Sequence, residues 1–257
     1  HAVYIEHLGI AAERIHLGYN AVDNAHFAEG ALAARKDADA SRAEHGLPKR
    51  YILASARFIE KKNLPALVTA FAKAVRGATG ETPDLVILGD GEAKPAILAA
   101  ATAGRVAERI HLPGFRGYDV LPAYYGLADA FVHVSTVEQW GLVVNEAMAS
   151  SVPVIVSEPC GVSRTVVTDG ISGFVVDPDV ESITRAFAKI FSMTPKEHVE
   201  IGSEAARAIA DWGPGRFGSG MAAAVESAVS APRRGDPAPW DLAILAYMEK
   251  TSIENVA

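Results

Sequence analysis

The fold is decided by residues 135–163, STVEQWGLVVNEAMASSVPVIVSEPCGVS. A short apolar run, FVHVS at 131–135, leads into this stretch, and a second run, VPVIVS at 152–157, lies inside it. A helical segment that begins after Trp140 and Gly141 separates the two runs. Strand, loop, helix and strand form the repeating unit of a parallel sheet, whose loops open at the carboxyl ends of the strands. The stretch therefore predicts an α/β domain.

Two carboxylates in this stretch are candidates for ligand binding. Glu138 precedes the predicted helix, and Glu146 lies inside it. The helix start offers unpaired N–H groups, which suit a phosphate or a sugar oxygen, and Gly141 allows a ligand to approach the backbone. On their own the two glutamates are equally compatible with surface positions beside an ordinary helix.

Glu, seven residues and Glu, followed by Ala-Met-Ala and Pro-Val-Ile-Val-Ser, resembles the C-terminal domain of retaining GT-B glycosyltransferases, family four in particular. The resemblance implies that Glu146 binds the ribose hydroxyls of a nucleotide. It implies that Glu138 lies against the transferred sugar. It also implies that Gly141, Leu142 and Val143, at the helix start, line the donor site.

A cationic loop follows the first buried run, YILASA at 51–56. Arg57, Lys61 and Lys62 supply three cations at the carboxyl end of this predicted strand. Arginine can bind two phosphate oxygens at once, and lysine adds a mobile point charge. In the family that the chain resembles, Arg57 and Lys62 would neutralise the leaving nucleotide. The alternative is a solvated loop.

The Gly89-Asp90-Gly91 turn follows the next predicted strand. It is not a dinucleotide fingerprint, because position 94 is lysine, and this weakens a nicotinamide-binding interpretation. The resemblance places Gly89 beside the nucleotide in a mainly conformational role. It also places the backbone of Phe115 and Arg116 at the edge of the nucleobase.

Further along the chain, residues 160–163 stand where most members of the family that the chain resembles have two glycines in a turn. The N–H groups near Gly161 are expected to face sugar or phosphate oxygens. Cys160 is interpreted as a small packed residue. His133 is interpreted as a core or cleft-edge residue, and Tyr124 and Tyr125 as packing groups. No metal site is expected, because the eight histidines show no metal-ligand spacing.

Composition sets the outer bounds on function. The 257 residues are 49% hydrophobic and 21% charged, which is ordinary for a globular protein. A net charge of −7 does not indicate nucleic-acid binding, which calls for an excess of positive charge. The single cysteine favours a reducing, cytoplasmic setting, and no apolar run of membrane-spanning length is present.

Three segments are expected. Residues 1–48 form an interdomain crossover, with a strand-like piece at 15–18, an Asx-type turn at Asp23 and a solvated helix over 28–45. Residues 49–230 form the nucleotide-sugar-binding domain, and 231–257 form a Pro-rich linker and closing helix. Because the chain begins with His1, we expect a fragment that lacks an N-terminal acceptor-binding domain, or one that works with a second subunit.

Together these observations predict a three-layer Rossmann-like domain with a parallel sheet of about six strands, the C-terminal half of a GT-B fold. The expected activity is transfer of a sugar from a UDP- or GDP-type donor to an acceptor hydroxyl with retention, without a cofactor or metal. A non-catalytic nucleotide-sugar-binding module, or one subunit of a two-part enzyme, is the alternative. A glycosidase pair is disfavoured because cations flank the carboxylates.

Overall fold

A computed structural model of the chain describes residues 2–231. Residues 17–219 form one compact unit, which contains the whole sheet. A second unit joins residues 1–16 to residues 220–257, and its described part holds a short N-terminal helix and the end of the last helix. Beyond residue 231, the expected linker and closing helix lie outside the described residues. Within 2–231 no helix is both long and apolar enough to cross a bilayer.

Helices and strands alternate through most of the chain. The helices are α1 (Ala2–His7), α2 (Asn24–Lys36), α3 (Ala38–His45), α4 (Leu64–Gly77), α5 (Lys94–Gly104), α6 (Leu121–Gly126), α7 (Leu142–Ala149), α8 (Val180–Ser192), α9 (Pro195–Ile209) and α10 (Pro214–Ser230). The strands are β1 (Tyr51–Ser55), β2 (Asp84–Leu88), β3 (Ile110–Gly114), β4 (Ala130–His133), β5 (Val154–Ser157) and β6 (Phe174–Val176).

The six strands form one parallel sheet in the order β3-β2-β1-β4-β5-β6. This is the doubly wound order, in which the chain changes winding direction between β1 and β4. Ligands of such sheets bind in the crevice outside the carboxyl ends of the strands at that point. The predicted six-strand parallel sheet is confirmed, and its crevice lies where the loops after β1 and β4 meet.

Both faces of the sheet are buried under helices. In β1, Ile52 and Ala54 belong to the core beneath α4, α5 and α8, whereas Tyr51 and Leu53 belong to the core beneath α2, α6, α7 and α9. This alternation follows from the two-residue period of a strand. The predicted three-layer architecture is therefore confirmed.

The segment 28–45 differs from the predicted single solvated helix. It falls into two helices that meet at Asp37, whose side chain accepts a hydrogen bond from the Ala40 N–H at 3.2 Å and so caps α3. One face of α2 is also buried, with Phe27 and Ala31 completely inaccessible to solvent. The prediction of a solvated helix was wrong, because the small alanines that suggested it allow close packing against α6.

The lead-in before α2 contains a turn but no strand. Residues 15–18 were expected to be strand-like, and they belong to no strand of the sheet. The expected turn at Asp23 is confirmed, because its side chain accepts a hydrogen bond from the His26 N–H at 3.1 Å and caps α2.

The backbone around Gly89 should not tolerate a side chain. Its φ is +121°, and a Cβ atom would lie 1.9 Å from the carbonyl oxygen of Ala56. We expect Gly89→Ala to lower the free energy of unfolding by about 2 kcal/mol or more, measured by urea denaturation. Gly117→Ala is the matched control, because Gly117 has a φ of −68° and open space around it. Equal effects of the two substitutions would contradict the clash.

Candidate functional site

The loops at the carboxyl ends of β3, β2, β1, β4 and β5 are joined by backbone hydrogen bonds in the same order as the strands. We call these loops the carboxyl rim: residues 114–117, 89–93, 56–63, 134–141 and 158–163. The bonds that join neighbouring loops run from the N–H of Gly89 to the carbonyl of Gly114 (3.1 Å), Phe58 to Asp90 (2.8 Å), Thr136 to Lys61 (2.9 Å) and Gly161 to Glu138 (3.3 Å). The loops that carry the candidate site residues are therefore connected to one another along the carboxyl edge of the sheet.

Lys62 and Glu138 form an ion pair in the crevice between β1 and β4. The Lys62 ammonium donates a hydrogen bond to Oε2 of Glu138, and both side chains are largely buried. The side-chain amide of Asn63 fixes the approach of the two loops by donating to the Val134 carbonyl at 3.2 Å. Both charged residues were candidates from the sequence, but their direct pairing was not predicted.

His133, the last residue of β4, is the second partner of Glu138. The ring is 4% exposed, and its Nε2 lies 3.3 Å from Oε2 of Glu138 and 3.2 Å from Oγ of Ser135. Burial lowers the pKa of His133, which favours a neutral imidazole. The hydrogen bond with His133, followed by the contact with Lys62, lowers the pKa of Glu138 to about 2. The interpretation of His133 as a core or cleft-edge residue therefore omitted its contact with the site.

Acid should weaken this cluster in a defined pH window. Because the folded-state pKa of Glu138 is about 2, below its ordinary value of 4.5, the pair stabilises the fold fully above about pH 4.5, and this stabilisation is lost as the pH falls toward 2. We expect the difference in unfolding free energy between the wild type and Glu138→Gln to be constant from pH 7 to 5 and to shrink below it. Denaturation curves at each pH would measure it. A difference that grows on acidification would contradict the assignment.

Glu146 has a different environment. Its Oε2 accepts a hydrogen bond of 2.6 Å from the hydroxyl of Tyr125, a completely buried residue. Burial raises the pKa of Glu146, and burial followed by the nearby carboxylate raises the pKa of Tyr125. Tyr125 thus packs in the core, as the sequence suggested, and its hydroxyl also orients Glu146. The two glutamates therefore differ in their partners: Glu138 binds the Lys62 cation, whereas Glu146 binds the neutral hydroxyl of Tyr125.

Helix α7 begins without a side-chain cap. Gly141 precedes it with a φ of +100°, in the left-handed region that favours glycine, and no described side chain accepts from the first amides of the helix. Leu142 is 43% exposed and Val143 is partly buried. The N–H groups of Leu142 and Val143 therefore have no described acceptor and are available to an anion or a sugar oxygen, whereas that of Val144 donates to the Gly141 carbonyl at 2.9 Å.

The buried side-chain amide of Asn145 fixes the start of α7 through two hydrogen bonds. Asn145, inaccessible to solvent, accepts a hydrogen bond from the Trp140 indole N–H at 3.0 Å and donates to the carbonyl of Asn20 at 2.8 Å. Sequence reasoning missed Asn145. An asparagine between the two glutamates in an otherwise apolar helix face was the available signal, since a buried amide must find partners.

Arg57 and Lys62, two of the three cations of the first loop, have different roles. Lys62 is committed to Glu138, whereas Arg57 is exposed and its guanidinium has no hydrogen bond or ion pair with any residue in 2–231. At the outer end of the rim, Phe115 is 81% exposed. Arg116 turns inward, where its Nε donates to the Tyr124 hydroxyl at 2.7 Å. The structure thus leaves Arg57 as a charge available to a ligand.

Gly161 is required by packing inside the rim. A Cβ atom there would lie 2.1 Å from the carbonyl oxygen of Gln139. Its N–H and those of Val162 and Ser163 already donate to carbonyls of the protein. The turn lies beside Glu138. The N–H groups near Gly161 were expected to face sugar or phosphate oxygens, but these three amides have acceptors within the chain and are not oriented by the fold toward a ligand.

The described part of the chain contains no cluster of metal-binding side chains. Among residues 2–231, no three histidine, cysteine, aspartate or glutamate side chains come together in an arrangement that could hold a metal ion. Cys160 is buried, with its Sγ 3.3 Å from the Ser157 hydroxyl, in agreement with a packed residue.

The sequence model of the family "Glycosyl transferases group 1" matches residues 36–208, which include every residue of the carboxyl rim. The chain belongs to this family. The family match covers α3 through most of α9, and thus the whole sheet.

Known relatives agree with the family. The chain is 30% identical over 177 residues to an alpha-D-kanosaminyltransferase of Streptomyces kanamyceticus, covering 66% of this chain and 42% of the relative. It is 32% identical over 166 residues to a GDP-mannose-dependent alpha-(1-6)-phosphatidylinositol monomannoside mannosyltransferase of Mycobacterium tuberculosis, covering 59% and 42%. The matched part thus spans less than half the length of these relatives.

A solved structure supports the fold. The chain superposes on HepE from Anabaena, solved in complex with UDP, with a TM-score of 0.72 and 19% identity over 88% of this chain and 61% of HepE. At this identity the similarity establishes the Rossmann-like GT-B fold.

Proposed function

We propose that this chain is the donor-binding portion of a retaining glycosyltransferase, which moves a sugar from a UDP- or GDP-type nucleotide sugar to an acceptor hydroxyl. The observation that carries the proposal is the arrangement at the crevice between β1 and β4, where the Lys62–Glu138 pair joins the two loops and Arg57, exposed and without a partner in residues 2–231, lies on the same loop as Lys62. The mycobacterial relative is GDP-mannose-dependent by name, and HepE was solved with UDP, so both bases are represented among similar proteins.

The charges suggest a division of labour along the donor. Arg57 would bind the diphosphate and stabilise it as a leaving group, with Lys62 close behind. Glu138, ionised and paired, would hold a hydroxyl of the transferred sugar. Glu146, whose second oxygen has no described partner, would accept hydrogen bonds from the ribose. Departure of the nucleotide ahead of attack from the same face would give retention.

We propose that no cofactor or metal is needed, because cationic side chains and the uncapped start of α7 can offset the charge of a diphosphate. Phe115 and the backbone of Arg116 would border the nucleobase at the end of the rim, with Gly89 beside the nucleotide. The acceptor would be bound by a further N-terminal domain or by a second subunit.

A non-catalytic module that only binds nucleotide sugars remains the second candidate, because the matched part spans less than half of the relatives' length. Both candidates require donor binding, and only the first requires transfer. Sugar transfer by the gene product that contains this chain would separate them.

Isothermal titration with UDP, GDP and ADP tests the shared step. We expect saturable binding of UDP or GDP, and Arg57→Ala should weaken it about 10- to 100-fold because a charge-assisted hydrogen bond is lost. Arg76→Ala is the matched control, because Arg76 is an exposed arginine in the last turn of α4. Binding that is equally weakened by both substitutions would contradict a specific role for Arg57. Absence of binding by the full-length gene product would contradict the proposed donor site.

A further inference from the structure

We propose that His133 is a positioning residue: together with Lys62 it holds one carboxylate oxygen of Glu138, Oε2, so that the other, Oε1, is the single oxygen offered to the donor sugar. This inference rests on the proposed function for the identity of the ligand, but the positioning itself rests on contacts within the chain.

The first step concerns which oxygen is occupied. The Lys62 ammonium and Nε2 of His133 both approach Oε2 of Glu138. Oε1 has no hydrogen-bond partner among the side chains and backbone groups of residues 2–231. A carboxylate has about four acceptor positions, so Oε1 keeps its full capacity for a hydroxyl of the ligand.

The second step concerns the proton on His133. The ionised Glu138 can only accept hydrogen bonds, so the contact of 3.3 Å is a hydrogen bond only when Nε2 of His133 carries the proton. The hydroxyl of Ser135, 3.2 Å from the same nitrogen, is then an acceptor of that shared N–H. The Ser135 contact can form with either tautomer, whereas the Glu138 contact requires a proton on Nε2, so the proposal assigns the Nε2–H tautomer to a neutral ring.

The third step concerns why the second donor is neutral. The ring is nearly inaccessible to solvent, and the nearby Lys62 ammonium opposes a second positive charge. Burial is the larger of these two effects, and the hydrogen bond to Glu138 acts against both. A neutral N–H donor can therefore orient the carboxylate while Lys62 alone neutralises it, and Arg57 and Lys61 remain exposed positive charges on the same loop, without side-chain partners in residues 2–231.

The surroundings hold the ring in one place. The start of α7 lies close to it, because a Cβ atom added at Gly141 would be 3.5 Å from Cδ2 of His133, within van der Waals contact. The ring is thus confined between the start of α7 and the Ser135 hydroxyl. A rotation of Glu138 that exchanged its two oxygens would have to give up both of the contacts made by Oε2.

Nitrogen NMR on the wild-type chain tests the tautomer without any substitution. Labelled histidine should show His133 neutral at pH 7 with the proton on Nε2. A proton on Nδ1 would overturn the proposal, because His133 could not then donate to Glu138.

Two variants test the consequence. Carbon-labelled glutamate should show that the Glu138 carboxylate titrates at higher pH in His133→Leu, and near its wild-type midpoint in His133→Gln, which keeps an N–H donor. A Glu138 midpoint that is unchanged in a folded His133→Leu variant would overturn the positioning role. If His133→Leu fails to fold, the His133→Gln titration and the tautomer decide the question.

Binding separates this inference from the proposed function. We expect His133→Leu to weaken UDP-glucose or GDP-mannose about tenfold, and to leave UDP or GDP within about twofold, because one oriented hydrogen bond to the sugar is lost. If the wild type binds none of these probes while the NMR results hold, the proposed function fails and the positioning stands. Equal weakening of sugar-linked and free nucleotides would overturn the link to the sugar.

Discussion

Glu138→Ala should lower the rate of sugar transfer about a hundredfold or more, while the affinity for free UDP or GDP stays within about twofold or rises slightly. Glu138 is bound through Oε2 to Lys62 and His133, and in the proposed arrangement it contacts the sugar and not the nucleotide. Its removal releases the Lys62 ammonium, which can then move toward the diphosphate. The expected signature is therefore a large loss in transfer without a loss in nucleotide binding.

Transfer assays on the gene product that contains this chain, combined with titration of free nucleotide, would measure both quantities. Glu158→Ala is a suitable control, because Glu158 is an exposed rim glutamate paired with Arg164. Parallel loss of transfer and nucleotide affinity in Glu138→Ala would show that the proposed division between sugar and nucleotide is wrong. A melting temperature near that of the wild type is needed before either result is interpreted.

Glu146→Ala should have the opposite signature. We expect the affinity for free UDP or GDP to fall by about 1–3 kcal/mol, because hydrogen bonds to the ribose are lost. The fold should also lose about 1–3 kcal/mol of stability, since the completely buried Tyr125 would lose the acceptor of its hydroxyl.

The variant Tyr125→Phe separates these two effects. It removes the hydroxyl that orients Glu146 and keeps the carboxylate itself. We expect titration to show a smaller loss of nucleotide affinity than in Glu146→Ala. If Tyr125→Phe reproduces the whole loss, orientation by the tyrosine dominates; unchanged affinity in Glu146→Ala would remove Glu146 from the ribose site.

The sheet could be predicted from the sequence because the strands are short apolar runs and all of them except β5 are followed by a helix. The three layers followed from the same pattern, since strands buried on both faces need helices on both. The boundary between α2 and α3 was missed, because the alanines on both sides of Asp37 suit one continuous helix. Only the packing of α2 against α6 shows that Gly30 and Gly126 mark a close helix contact.

The site was predictable to the level of its charged residues. Arg57, Lys62 and Glu138 stand out as charges after apolar runs, and Glu146 stands out as a carboxylate within an apolar helix. Their partners did not stand out, because His133, Tyr125 and Asn145 lie within apolar segments, where a polar residue is ordinarily interpreted as packing. Their roles depend on which strands and helices become neighbours, and 76 positions separate Lys62 from Glu138. The spacing of residues along the sequence does not show which strands and helices become neighbours.

The carboxyl rim has one more consequence, for how donor preference can change. Four backbone bonds tie its loops together, so much of the main chain at this edge satisfies its own polar groups. In the proposed donor site, a ligand would be recognised chiefly by side chains and by the open start of α7. Exchanging a side chain such as that of Phe115, which is 81% exposed, leaves this backbone scaffold intact. Selectivity for a new donor can therefore arise by single substitutions on an unchanged frame, and directed evolution of the rim can proceed without rebuilding its loops.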